Sequence, residues 1–154
     1  MSNSSFGFAK PEDSPGFLLW QTTISWQRII KKSLEPYKIS HAQFVIMAVV
    51  LWFEEHNEDA TQVIIANWTK LDKMTVSQAL KNLVNMDLVI REEYISDTRA
   101  KKVSLTKLGK KLVQKLVPVI EQIDANFFGE ISSSQQQSLV QILSKLAALS
   151  SYAS

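Results

Sequence analysis

Residues 72–106, DKMTVSQALKNLVNMDLVI followed by REEYISDTRAKKVSLT, constrain the fold more than any other part of the chain. The first half has helical periodicity. Val76, Leu80 and Leu83 recur at four- and three-residue spacing and so fall on one side. Asp72 stands just ahead of them, where a carboxylate can accept from the orphan amides of a first helical turn. The opposite side carries Met74, Gln78, Lys81 and Asn85, flanked by Thr75, Ser77 and Asn82. That outer face is nearly free of acids. Its short hydrogen-bonding side chains all have partners among the base edges of a DNA major groove.

The second half changes period. Residues 88–94 are rich in β-formers, 95–101 are turn-like and basic, and 102–105 alternate again, which predicts a two-stranded ribbon. Asp97, Arg99, Lys101 and Lys102 cluster at its tip. A polar lysine-bearing helix face is by itself most often just solvated, and so is a basic hairpin tip. Joined in this order, they form the pattern of a winged helix-turn-helix. The helix would enter the major groove, and the wing would reach a flanking minor groove or phosphates.

With those residues in view, the chain resembles the MarR family of bacterial transcriptional regulators. The likeness is carried by DKMTVSQALKNLVNMDLV as recognition helix, SDTRAKKVSLT as wing and TKLGKKL as entry to the next helix. Its most specific part is the pair Asp97 and Arg99, followed by V-x-L-T at 103–106 and by Gly109. In length and helix order the likeness extends over roughly residues 15–150. Lys70 and Asp87 depart from the pattern, standing at tight turns where the family usually has glycine.

The resemblance implies a mainly α fold with a small β-hairpin, a winged helix-turn-helix flanked by N- and C-terminal dimerisation helices. It implies a homodimer on double-stranded DNA, and most simply a repressor of a palindromic operator. Lys73, Met74, Thr75, Ser77, Gln78, Lys81 and Asn82 are then the DNA-facing residues of the recognition helix. Arg99 suits a narrow minor groove, and Asp97 would hold Arg99 or the hairpin turn in shape. Lys70, Lys101, Lys102 and Lys107, with Lys73, would add affinity independent of sequence. Relatives also bind small aromatic acids between the dimerisation helices and the winged-helix body, which makes such an effector a partner to expect here. Trp20, Trp26, His41, Phe44, Met47 and Trp52 are the candidates to line that pocket, although aromatic residues at helical spacing are more often plain core.

Composition fits these expectations. A chain of 154 residues with 45 % hydrophobic content suits a single domain with a dimerisation extension. The formal charge is only +2, but it is unevenly placed. Residues 70–115 hold eleven basic and five acidic side chains, a net of +6, while the remainder carries −4. Such asymmetry is the electrostatic footprint of nucleic-acid binding. An acidic protein partner of a winged-helix interaction module is the alternative. The absence of cysteine removes disulfides, thiolate metal sites and thiol-based peroxide sensing. The first residues lack the charged start and apolar core of a signal peptide, and the apolar run 44–53 is far short of the ~20 residues of a membrane span. A soluble cytoplasmic protein without membrane association is the expectation.

Residues 1–13 are polar and read as a flexible arm; 14–154 read as one regulator domain. Within it, 14–35 and 119–150 are expected to dimerise and 40–118 to form the DNA-binding region. Ser14-Pro15 opens a helix to about Glu35 whose apolar stripe (Phe17, Trp20, Ile24, Ile30, Leu34) is widened by Leu18, Trp26 and Ile29. Ser40 to Gln43 is a capping box ahead of a helix apolar nearly all round. His56 lies in the acidic loop 54–59, which reads as solvated rather than metal-binding. Residues 61–69 form a short helix with Ile64, Ile65 and Trp68 on its buried side. After the wing, one long helix from Thr106 to about Phe128 is expected to kink at Pro118. Ser133 or Ser134 would cap a last helix with the stripe Leu139, Ile142, Leu143, Leu146 and Leu149. There is no phosphate loop, no H-E-x-x-H and no nucleophile with a base close in sequence, so neither an enzyme nor a cofactor is expected.

Overall fold

The structure, a computed structural model, describes residues 4–93 and 101–149, with Glu93 and Lys101 described by their backbone alone. Among the described residues there are six α-helices and a three-stranded antiparallel sheet, in the order α1 (Pro15–Leu34), α2 (His41–Glu55), β1 (Ala60–Thr61), α3 (Gln62–Thr69), α4 (Lys73–Asn85), β2 (Val89–Glu93), β3 (Lys101–Leu105), α5 (Lys107–Phe128) and α6 (Ser133–Ala147). Each helix is opened by a side chain that accepts from its first turn. Ser14 takes the Phe17 amide at 3.2 Å, Thr61 that of Ile64 at 3.2 Å, and Thr106 that of Gly109 at 2.9 Å. Ser40 and Gln43 close a full capping box.

The core is assembled around α2. Ile46, Met47 and Val50 are fully buried, and against them pack Ile30 and Leu34 of α1, Ile65 of α3, Val76, Leu80 and Leu83 of α4, Val103 of β3, and Val113 and Leu116 of α5. This is the arrangement expected of a helix apolar nearly all round. Helix α5 runs on through Pro118, which is exposed.

The wing is built from both sides. β2 pairs with β3 in the register Val89↔Leu105 to Glu93↔Lys101. The two-residue β1 joins the other edge of β3, Ala60↔Val103 and Thr61↔Lys102. That third strand is absent from the sequence-based expectation, because two residues carry no periodicity. Two further corrections concern helices. Trp68 is not on a buried side: it is 54 % exposed, with its ring edge on Phe53 at 4.9 Å. The cap of α6 is Ser132, not Ser133 or Ser134, and it forms a capping box with Gln135.

The two glycine departures sit where left-handed backbone is needed. Lys70 (φ 62°) ends α3 and Asp87 (φ 60°) follows α4. Each has a backbone that glycine adopts at no steric cost and other L-residues only with strain.

Candidate nucleic-acid interface

Helix α4 has two faces of opposite character. Val76, Ala79, Leu80 and Leu83 are buried, while Lys73, Met74, Thr75, Gln78, Lys81 and Asn82 are exposed and Ser77 is half-buried. Met74, at 83 % exposure, is a large apolar side chain held in water at the start of the helix. Asp72 fixes that start by accepting from the Thr75 amide at 2.8 Å and from the Thr75 hydroxyl at 2.9 Å. These bonds hold the Asp72 carboxyl below its ordinary range, so the cap is charged at neutral pH. Further along, the Gln78 side-chain amide donates to Asn82 Oδ1 at 3.2 Å, which orders two of the polar side chains relative to each other.

The cations lie on the turn into α4, on β3 and on the start of α5. Lys70 and Lys73 flank the turn into α4, and Lys107, Lys110 and Lys111 occupy the first turns of α5, all exposed. Lys102 is half-buried on β3 and pairs with Asp59 at 3.3 Å, so part of its charge is already balanced within the chain. Asp97 and Arg99 lie outside the described residues, and Lys101 is placed only by its backbone in β3.

The joint between α4, the wing and α5 is tight. The Thr106 hydroxyl donates to the Asp87 carbonyl at 2.7 Å, and the Thr106 amide donates to the Leu88 carbonyl at 3.1 Å. The backbone of α5 comes so close to Leu88 that a Cβ on Gly109 would stand 1.9 Å from the Leu88 oxygen. Only glycine fits there. On the other edge, the Leu105 amide donates to Glu54 Oε1 at 2.9 Å. Glu54, expected in the acidic loop 54–59, instead lies in the last turn of α2, and no sequence signal links two residues 51 positions apart.

The pocket candidates are dispersed. Phe44 and Met47 are sealed in the core, whereas Trp20 and Trp52 are 65 % and 51 % exposed. Trp52 stacks on His56 at 4.1 Å. Trp26 and His41 do meet, edge to face at 5.1 Å, and the Trp26 indole N–H donates to Asp124 at 2.8 Å. Burial lowers the His41 pKa from its ordinary value, against the opposing pull of the Asp124 carboxylate. A separate apolar cavity of about 510 Å³ between α1 and α5 is lined by Ile29, Ile123, Asn126, Phe127 and Glu130. None of the six candidates lines it. Among the described residues no group of three or more His, Asp or Glu could hold a metal ion, and no helix is long and apolar enough to cross a membrane.

Residues 35–123 match the ArnR1-like winged-helix domain family. The HTH-type transcriptional regulator YdcH of Bacillus subtilis is 36 % identical over 121 residues, 79 % of this chain and 82 % of that protein. Solved structures share this fold. BpsR of Bordetella bronchiseptica, described with regulation of its DNA binding by 6-hydroxynicotinic acid, is 26 % identical, with a TM-score of 0.80 over 92 % of this chain and 98 % of that one. A MarR variant of Escherichia coli in complex with operator DNA is 21 % identical, with a TM-score of 0.73 over 91 % and 99 % of the two chains. The chain belongs to the MarR family. It is a winged-helix transcriptional regulator of that family, and its relatives are regulators rather than enzymes. In this MarR-family protein, α3 and α4 are the helix-turn-helix, and β2 and β3 are the wing.

Proposed function

We propose that this MarR-family regulator acts in the cytoplasm as a homodimeric repressor of a palindromic operator, with α4 reading the major groove and the wing a flanking groove. The observation that carries the reading is the outer face of α4. Six exposed side chains able to meet base edges or phosphates stand above a fully buried seam, at the end of a helix-turn-helix. Met74, Thr75, Ser77, Gln78, Lys81 and Asn82 contact bases, Arg99 enters the minor groove with Asp97 supporting it, and Lys70, Lys73, Lys101, Lys102 and Lys107 serve phosphates. In this division 40–118 bind DNA, while 14–35 and 119–150 join the subunits and 1–13 form an arm.

The dimer is supported by α6. None of its residues is buried, yet it carries Val140, Ile142, Leu143 and Leu146, and Leu149 just beyond its end is exposed as well. A two-fold axis then sets two copies of α4 about one DNA turn apart, ~34 Å. An aromatic acid of the type named for BpsR would release the operator by favouring a different spacing of those helices.

The test is selection of bound duplexes from a random pool, repeated with hydroxylated aromatic acids present. A palindrome with half-sites one turn apart, lost when an effective acid is added, is the expected result. Affinity should also fall steeply with salt, as when several phosphates are neutralised. Retention of all duplexes alike, with preference for an acidic protein instead, would replace the reading with that of an interaction module.

A further inference from the structure

Antiparallel strands turn successive amides to opposite edges. The Thr106 amide points to the β2 side, where it donates to Leu88. The Leu105 amide therefore points to the β1 side. In the register of β1 on β3, Ala60 faces Val103 and Thr61 faces Lys102, so Leu105 would face residue 58. By then β1 has ended. Left there, the Leu105 N–H would be an unpaired donor at the base of the wing, beside the point where β3 enters α5. Glu54 Oε1, from the last turn of α2, takes that place at 2.9 Å. The Glu54 side chain is half-buried, and with Asp59, Ala60, Lys102 and Ser104 it lines a cleft of about 320 Å³ between the α2–β1 loop and the strand. Asp59 holds Lys102 across the same cleft.

We propose that Glu54 is a positioning residue for DNA binding: its carboxylate replaces the missing β1 carbonyl and fixes the angle at which the wing leaves the domain core. The inference rests on the proposed operator-binding function, because a wing angle matters only if the wing meets DNA. Helix α2 holds the centre of the core, so the bond ties the wing to the element around which the core is packed. A negative side chain on the wing side of a DNA-binding protein otherwise opposes phosphate binding. Its hydrogen bond is the reason to keep it. The consequence is specific: the wing loses its angle when the acceptor is lost, not when the charge is lost.

The experiment compares Glu54→Ala and Glu54→Gln with the wild-type dimer on a duplex that the wild type has selected from a random pool. Affinity is titrated at several salt concentrations well below unfolding, and exchange of the Leu105 amide is followed by NMR. Glu54→Ala should bind at least about fivefold more weakly, the low end of what a lost groove contact costs, with a shallower salt slope. Its Leu105 amide should exchange faster. Glu54→Gln keeps an acceptor and should stay near the wild type in all three readouts. Unchanged affinity in Glu54→Ala, equal losses in both variants, or tighter binding by both, as simple charge removal would give, overturns the proposal. If the wild type selects no duplex, the operator reading fails on its own. The exchange rates then decide the clamp alone: faster in Glu54→Ala only supports it, and equal rates in all three proteins overturn it.

Discussion

At the joint between the wing and α5, single atoms set the geometry. Gly109 has no room for a methyl group against the Leu88 carbonyl, and the clash is with backbone, which cannot rotate away. Gly109→Ala should therefore cost about 3 kcal/mol or more, at or beyond the upper range of overpacking, seen as a lower denaturant midpoint. A midpoint within error of the wild type would mean that α5 can slide off Leu88. His41 gives a pH-dependent counterpart. Its folded pKa is lowered by burial, so the unfolded chain binds the proton more readily. The stability it contributes is full above the unfolded value of ~6.5 and declines as pH falls through 6.5 towards the folded pKa. His41→Gln should flatten that part of the curve. If both proteins lose equal stability between pH 7.5 and 5.5, another group carries the effect.

Elements were legible in the sequence where their signals are local. Helix α4 follows from Asp72 and the spacing of Val76, Leu80 and Leu83, and β3 from the alternation over 102–105, one residue short of its start at Lys101. The cap of α6 was not, for a physical reason. Ser132, Ser133 and Ser134 each precede a glutamine by three residues, so three registers satisfy the same capping rule, and tertiary packing selects one. Contacts far apart in sequence left no trace at all, as with Trp26 and Asp124, 98 positions apart. One local irregularity was visible and is informative. The first turns of α5 carry Lys107, Lys110 and Lys111 and no acid in the first turn, against the positive end of the helix dipole. A phosphate placed there would offset that repulsion. Lys107→Glu should stabilise the free protein by about 0.3–1 kcal/mol while weakening its binding to every duplex alike. Thermal unfolding and titration on selected and random DNA read the two effects separately. A variant that gains neither stability nor loses affinity would show that these lysines are ordinary surface charges.

For the molecule as a whole, the decisive quantity is apolar surface that the chain itself does not cover. Leu19 and Trp20 on α1 are 55 % and 65 % exposed, and Leu146 and Leu149 are 55 % and 65 % exposed. An isolated subunit would hold all of this against water, at about 25 cal/mol per Å², whereas a subunit interface of at least roughly 1,000 Å² would remove it. Because no residue of α6 is buried within the subunit, the stripe can be altered without hollowing the core. The double substitution Ile142→Lys and Leu146→Lys should leave the helical circular dichroism of the subunit in place and shift the protein to monomers in sedimentation. Affinity for an intact palindrome should then drop by about a hundredfold or more, since the second half-site no longer benefits from a tethered partner. Affinity for a single half-site should change little. That contrast separates loss of pairing from damage to α4. A variant that stays dimeric, or one that loses half-site and palindrome binding equally, would place the subunit contact somewhere other than on α6.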